Sequence, residues 1–264
     1  MLGLIAEHGL RPSRALGQNF VADANTVRRI ARIAGVGPGD RVVEIGAGLG
    51  SLTLALAETG ADVTAIEIDR YLLPVLRKVV EPHGVTVVEG DALRLDWSRL
   101  LGDDAWVLVA NLPYNVATPL VADLLDGVPQ IGRMVVMVQR EVAHRLAAAP
   151  GDPAYGAVSV KVAYWASARL VGRVPPAVFV PQPRVESALV EIVRRPDGPA
   201  VDPAVVTPAR LFEVVRAGFA HRRKMLRGAL AGVVAPDAFD AAGVRPESRA
   251  EELDVEAWGR LARR

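Results

Sequence analysis

The sequence predicts a doubly wound α/β domain followed by a small helical one. Three observations carry this. Short β-branched apolar runs alternate with segments of helical period from residue 41 to about 149, a Pro-, Asp- and Gly-rich stretch occupies Arg195–Pro208, and beyond it only helical period remains. At 264 residues the chain holds one large domain, or one domain with an appendage, and 51% hydrophobic against 23% charged residues is a globular balance rather than a disordered one.

Residues 1–40 read as a helical preface, in which Asp23 stands at an N-cap position and Val27, Ile30, Ala31 and Ala34 recur at helical spacing before Gly35. Arg41–Ile45 is the first strand, Ser51–Thr59 a helix and Asp62–Ile68 the second strand. Tyr71–Val80 is helical with Pro74 tolerated in its first turn, and Val85–Val88 is the third strand. Trp106–Ala110 and Met134–Val138 continue the series, with helices near Pro119–Leu125 and over Arg140–Ala149. Strands this continuously apolar belong to a parallel sheet covered on both faces. Tyr155–Ala166 is a further helix, and Arg169–Val174 with Ala188–Val193 suits an antiparallel pair at the sheet edge. The helical part comprises Ala209–Leu230, a short piece around Asp237–Ala242 and a last helix opening near Asp254. The expected domains are therefore 1–196 and 197–264.

Composition excludes several classes. The chain has no cysteine, which removes thiolate nucleophiles, Cys-ligated zinc, iron–sulfur clusters and disulfides, and fits a reducing, cytoplasmic setting. The apolar start Met1–Ile5 soon meets Glu7, His8 and Arg11, and no run of ~18 apolar residues occurs, so neither export nor membrane spanning is expected. His8, His83, His144 and His221 have no metal-ligand spacing and no triad partner, so they read as surface or packing residues and no metal is expected. Net charge is only +1, yet the window 205–230 places Arg210, Arg216, Arg222, Arg223, Lys224 and Arg227 against Glu213 alone.

The chemistry concentrates at strand ends. The first strand runs into Glu44-Ile-Gly46-Ala-Gly48-Leu-Gly50 and then a helix, where glycines permit a tight turn with close ligand approach and the helix start offers unpaired N–H groups. Glu67 ends the second strand, the place where an acidic side chain accepts from ribose hydroxyls. The spacing G-x-G-x-G followed by Ser51 departs from the dinucleotide pattern G-x-G-x-x-G, which favours S-adenosylmethionine over NAD. Asp91, followed by Ala92, ends the third strand, where it is placed either to take the exocyclic amine of a cofactor adenine or to N-cap the next segment, and the two roles are compatible.

Asn111-Leu112-Pro113-Tyr114-Asn115 ends the fourth strand and is the most specific stretch. An exocyclic amine is a poor nucleophile because its lone pair is delocalised into the ring. Hydrogen bonds accepted by the Asn111 side-chain oxygen and the Leu112 carbonyl localise that lone pair, so no general base is needed. Pro113 stiffens the turn and Tyr114 offers a ring on which a base stacks.

On these residues the chain resembles the ribosomal RNA adenine N6,N6-dimethyltransferases of the small-subunit (16S) type. Gly17-Gln18-Asn19-Phe20 is similar to that family's opening cofactor motif, Phe179-Val-Pro-Gln-Pro-Arg-Val-Glu-Ser187 to its late loop, and Phe219-Ala-His-Arg-Arg-Lys224 to its C-terminal signature. The likeness covers roughly residues 11–264. It implies the Rossmann-like doubly wound sheet of class I S-adenosylmethionine-dependent methyltransferases, with a small all-helical C-terminal RNA-binding domain. It implies cofactor contacts at Gln18, Asn19, Val21, Gly46, Glu67, Asp91 and Asn111, joined by Gly48 and Ala92 from the same strand ends, and Phe179 as a second ring on the target adenine. Val21 stands where Leu is usual, and Ala117-Thr118 where Ser-Thr is usual.

The implied substrate is a pair of adjacent adenosines near the 3′ end of small-subunit ribosomal RNA, each receiving two methyl groups during ribosome biogenesis, in free RNA or the assembling subunit. A cytoplasmic monomer is expected. Arg222, Arg223 and Lys224 are either a solvated helix face or phosphate contacts. Alternatives are the large-subunit (23S) adenine methylase of macrolide resistance, a non-catalytic ribosome-assembly or RNA-binding factor, and an NAD-dependent dehydrogenase.

Overall fold

The computed structural model describes residues 12, 13 and 16–263, so the preface before residue 12, with His8, lies outside the described residues. The strands, in chain order, are β1 (Phe20–Val21), β2 (Arg41–Ile45), β3 (Asp62–Glu67), β4 (Thr86–Glu89) and β5 (Trp106–Asn111). They continue with β6 (Ile131–Gln139), β7 (Ala166–Val174), β8 (Phe179–Val180) and β9 (Ser187–Arg194). Among the described residues, seven form one sheet in the order β4-β3-β2-β5-β6-β9-β7. β2 to β6 pair in parallel, and β9 is antiparallel to β6. Val42–Ile45, Val63–Glu67, Leu108–Ala110 and Met134–Val138 are unbroken buried runs, as a sheet covered on both faces requires.

The strand order sets the position of the site. The chain lays β3 and β4 outward from one side of β2, then returns to lay β5 and β6 on the other. Neighbouring connections therefore diverge at the carboxyl ends of β2 and β5, which opens the crevice where such sheets bind ligands. Gly46 follows β2 directly and Asn111 closes β5.

Helix α1 (Ala24–Ala34) begins where Asp23 accepts from the Thr26 N–H and ends at Gly35 in the left-handed region. It buries Val27, Ile30, Ala31 and Ala34, the predicted stripe, in a core that includes Val42, Val63, Leu76, Val109 and Leu189. Helices α2 (Ser51–Ala57) and α3 (Leu73–Val80) follow β2 and β3, and Pro74 does sit in the first turn of α3. A short α4 (Trp97–Leu101), which the sequence reading lacked, and α5 (Ala117–Gly127) precede β5 and β6. Helix α6 (Arg140–Ala147) follows β6. Among the described residues no helix is long and apolar enough to cross a membrane.

The chain divides into two compact units, one of residues up to Ala143 with Arg169–Val193, the other of His144–Ala168 with Arg194 onward. The expected division at 196/197 thus left residues 144–168 on the wrong side of the contacts they make. Helix α7 (Ala157–Trp165) packs with later helices: Tyr164 meets Phe212 edge-on at 5.3 Å, and the Tyr155 hydroxyl donates to the Leu253 carbonyl at 2.9 Å. The predicted helix Ala209–Leu230 is also broken, into α8 (Pro208–Ala220) and α9 (Leu226–Ala229). Met225 is extended, and the N–H groups of Leu226 and Arg227 donate to Ser248 and Pro246 carbonyls, so a distant loop replaces the helical acceptors. Helices α10 (Asp237–Ala242) and α11 (Val255–Ala262, capped by Asp254) complete the unit.

β1 and β8 pair with each other, Phe20 opposite Val180 and Val21 opposite Phe179. This corrects the expected role of Phe179: the residue is 2% exposed and sits with Val21, Val174 and Leu189 in the core of the sheet unit rather than open to a substrate. Phe179→Ala is expected to lower unfolding free energy by about 3–5 kcal/mol, the range for deleting a buried ring. A denaturant titration showing a loss below about 1 kcal/mol would contradict this packing.

Candidate active site

The crevice between β2 and β5 opens into two adjoining lobes. The first, about 490 Å³, is bounded by Gly46, Gly48, Glu67, Asn111 and Tyr114 together with Leu16–Phe20, a strap of chain along one side. The second, about 680 Å³, is apolar, formed by Ile45, Ile66, Ile68, Val116 and Leu120 with Asp91 and Ala92. Leu16, Gly46, Ile68 and Pro113 border both lobes, which places them side by side. Sequence reasoning missed Ile68, Leu93, Val116 and Leu120. The signal available in the sequence was an apolar residue directly after the acidic end of a strand, at the edge where such sheets bind ligands, and the structure leaves that Ile68 47% exposed.

The glycine loop is held by its own backbone. Gly46 and Ala47 N–H both donate to the Ile66 carbonyl, at 2.8 and 3.1 Å, and Gly50 N–H to Ala47. Gly48 N–H donates to Glu67 Oε2 at 2.7 Å, while Glu67 Oε1 accepts from Ile68 and Asp69 N–H at 3.0 and 2.9 Å. Gly46 and Gly48 have φ of +74° and +60°, and a Cβ at Gly48 would lie 2.9 Å from the Phe20 ring. Gly48 is thus required by the loop and by Phe20, besides any room it leaves for a ligand. Burial pushes the Glu67 carboxyl upward, opposed by these three N–H bonds. A carboxylate accepts about four hydrogen bonds, which leaves Oε2 free for one more.

At the end of β5, Asn111 Nδ2 donates to the Asn19 carbonyl at 2.9 Å. Because only the nitrogen of the amide can serve a carbonyl, Oδ1 is the end left to accept. Leu112 N–H donates to the Met137 carbonyl, and Pro113 accepts from Val116 and Ala117 N–H at the start of α5. The Tyr114 hydroxyl is 2.7 Å from Ser187 Oγ on β9, which fixes the ring, and burial raises its pKa. Ser187 was quoted in the sequence as part of a loop motif, without this role.

Of the other predicted residues, Asn19 borders the first lobe, its Nδ2 donating to the Gly17 carbonyl. Gln18 also borders it, but its side chain is occupied by Ser13 N–H and Asp69. Val21 lies in the core and reaches only a small cavity beneath, alongside Glu44 and Asn111. Asp91 borders the apolar lobe, but it caps no helix: its Oδ1 accepts from Leu93 N–H at 3.0 Å within a turn, and the next helix, α4, is capped by Asp96 instead.

The donor set fits S-adenosylmethionine. Two carboxylates, Glu67 and Asp91, face lobes whose described lining residues include neither Lys nor Arg. That suits a ligand carrying sulfonium and ammonium charges beside a ribose and an adenine. A dinucleotide pyrophosphate would need free loop N–H groups, and those of Gly46, Ala47, Gly48 and Gly50 are already committed.

Arg222, Arg223 and Lys224 lie in the helical unit, in the turn between α8 and α9 rather than on a helix face. Arg222 is anchored, 3.1 Å from Glu251 and donating to the Pro153 carbonyl at 2.8 Å. Arg210 and Arg227 are likewise paired, with Glu213 and Glu247. The side chains of Arg223 and Lys224 are exposed and bonded to no described acceptor.

Beneath the loop, Glu44 is 2% exposed and accepts from Thr53 Oγ1 at 2.6 Å. Burial, with a smaller contribution from Glu67, pushes its carboxyl from an ordinary 4.5 up to about 8 against the Thr53 bond. Between those values the folded state keeps a proton that the unfolded state has released, so stability falls as pH rises. Glu44→Gln keeps the shape and removes the titration, and should flatten the decline of melting temperature between about pH 5 and pH 8. It should not abolish the decline, since Glu67 acts in the same direction. An unchanged slope would place the proton elsewhere.

The profile of the ribosomal RNA adenine dimethylases matches residues 10–264. The ribosomal RNA small subunit methyltransferase A of Cutibacterium acnes is 52% identical over 268 residues, covering 97% of this chain and 88% of that protein. Its counterpart in Thermobifida fusca is 47% identical over 270 residues, covering 98% and 92%. Among crystal structures, the 23S rRNA methyltransferase ErmE superposes with a TM-score of 0.73 at 27% identity, over 92% of this chain and 98% of that one. A dimethyladenosine transferase from Plasmodium falciparum shares the fold, with a TM-score of 0.77 at 23% identity, over 92% and 95%. The family's match runs from before the strap at Leu16 through the last helix, taking in both lobes and the basic turn, and the chain belongs to the ribosomal RNA adenine dimethylase family.

Proposed function

We propose that the protein dimethylates N6 of two adjacent adenosines near the 3′ end of small-subunit ribosomal RNA, using S-adenosylmethionine. The observation that carries the chemistry is the Asn111 amide, whose nitrogen is spent on the Asn19 carbonyl so that its oxygen is presented as an acceptor beside Tyr114. The small-subunit target is supported by the relatives so named at 47–52% identity, against 27% for the 23S enzyme. The setting this reading implies is cytoplasmic, with the protein acting as a monomer on RNA or the assembling subunit.

Glu67 would hold the cofactor's ribose, Asp91 and the apolar lobe its adenine, and the Gly46–Gly48 loop its remaining length. Bound there, S-adenosylmethionine supplies an electrophilic methyl group on sulfur. Asn111 Oδ1 and the Leu112 carbonyl accept the N6 hydrogens and draw the amine lone pair out of ring conjugation toward that methyl. The proton released on N–C bond formation leaves to solvent, so no basic side chain takes part. Tyr114, its hydroxyl tied to Ser187, presents its ring for the adenine, a contact worth roughly 1–3 kcal/mol. An adenine paired in a duplex cannot reach the cleft, so the substrate is single-stranded or flipped out.

Asn111→Ala is expected to slow single-turnover methyl transfer at saturating S-adenosylmethionine by roughly 10²–10³, the scale for one preorganised polar contact at a reacting centre. Retention of more than about a tenth of the rate would move the chemistry away from β5.

In the turn between α8 and α9 the cations open to phosphate are Arg223 and Lys224. Neutralising both should reduce the slope of log affinity for ribosomal RNA against log salt by about 1.5, while Arg222→Gln should change that slope less because Arg222 already serves Glu251. Equal effects of the three residues would show that the anchored arginine also meets RNA.

A further inference from the structure

Gln18 borders the cofactor cleft, yet both ends of its amide face protein: Oε1 accepts from Ser13 N–H at 2.7 Å and Nε2 donates to Asp69 Oδ2 at 2.8 Å. Asp69 is fixed in turn, its Oδ1 accepting from Tyr71 N–H at 3.0 Å and its own N–H donating to Glu67 Oε1 at 2.9 Å. One residue beyond Gln18, the Asn19 carbonyl accepts from Asn111 Nδ2 at 2.9 Å. A continuous chain of hydrogen bonds therefore runs from the ribose carboxylate through Asp69 and Gln18 into the strap, and out of the strap to the amide that acts on the target amine.

We infer that Asp69 is a positioning residue for methyl transfer: by clasping Gln18 it holds the Asn19 carbonyl where it fixes the Asn111 amide with Oδ1 toward the cleft. This rests on the function proposed above. The physical reason is rotational. A terminal amide torsion is broad and roughly two-fold, so Asn111 has no strong preference of its own for which end faces the substrate. The Asn19 carbonyl removes the wrong orientation, because there Oδ1 would face a carbonyl oxygen. That selection lasts only while the strap stays in place. On its outward side the strap is held by the Gln18–Asp69 bond, which is charge-assisted. Further along, the strap is also restrained by the two-residue β1–β8 ladder at Phe20–Val21 and by the Phe20 ring, packed with Leu49, Leu72 and Val75.

The test is an exchange of donor and acceptor. In Asp69→Asn, the side-chain oxygen still caps Tyr71 N–H, but an NH₂ group now faces the Gln18 NH₂. Flipping the Gln18 amide only moves the conflict to Ser13 N–H. Gln18→Glu alone sets two carboxylates together. In the double variant, the amide introduced at position 69 donates to one oxygen of the carboxylate introduced at position 18, and Ser13 N–H donates to the other. The clasp is then restored with reversed polarity.

Each single variant is expected to slow single-turnover methyl transfer at saturating S-adenosylmethionine and RNA by about tenfold or more. In the protein alone, it should also speed hydrogen exchange at the Ser13 and Gln18 amides, while the double variant returns both readings to within about threefold of the original. Loss without rescue in the double variant would overturn the clasp. Faster exchange with an unchanged rate would overturn its link to Asn111. If the unaltered protein methylates no ribosomal RNA, the proposed function fails, and the exchange measurement still decides whether Asp69 holds the strap.

Discussion

Glu67 accepts N–H bonds from Gly48 on the loop after β2 and from Ile68 and Asp69 beyond its own strand. Parallel strands that end at a reversal of order have nothing in the ladder to fix how their exit loops lie. Here a buried carboxylate supplies the missing bonds together with the Ile66 carbonyl, which accepts from Gly46 and Ala47 N–H. It holds the loop in the conformation that Gly46 and Gly48 permit, orients the start of α2, and starts the turn that brings Asp69 to Gln18. The cost is electrostatic, since a carboxyl 4% exposed gives up much of its hydration. Three backbone donors offset that cost and keep the group an acceptor.

Much of the sheet was readable because its strands are buried on both faces and carry almost no polar residue until they end. Glu67, Asp91 and Asn111 stand out for that reason: each is a polar side chain closing an apolar run, at the edge where ligands bind. The same contrast failed for β1 and β8, two residues each, which are too short to have a period. Phe179 was expected at the substrate because the late-loop resemblance implies it, and no strand pattern marked it as the core residue it is, opposite Val21. The apolar floor of the second lobe was missed for the opposite reason, since Ile45, Ile66 and Val116 look like ordinary core residues in a sequence.

Longer-range errors have one cause. Residues 144–168 follow the sheet's pattern of apolar and helical segments, but Tyr155 and Tyr164 find their partners at Leu253 and Phe212. Local pattern carries no record of such partners. Likewise nothing between Ala209 and Leu230 forbids a continuous helix. The break at His221–Met225 is favoured by carbonyls of Pro246 and Ser248, and it converts the basic residues from a helical stripe into the crest of a turn. Pairing then sorts them: glutamates take Arg210, Arg222 and Arg227 and leave a smaller set for an outside anion.

The contact between Gly48 and Phe20 ties together two stretches that a sequence comparison would treat as separate motifs. The ring lies where a Cβ on residue 48 would be, at 2.9 Å. The two positions therefore share one volume, and changes at them are ordered in time for a diverging lineage. Asn or Asp, which tolerate the left-handed backbone at 48, become admissible only in a chain whose position 20 has first become small. Losing the Phe20 ring in turn loosens the strap that orients Asn111. Phe20 thus limits what position 48 can become, which gives the aromatic residue in the opening motif a structural reason to persist that is independent of any ligand.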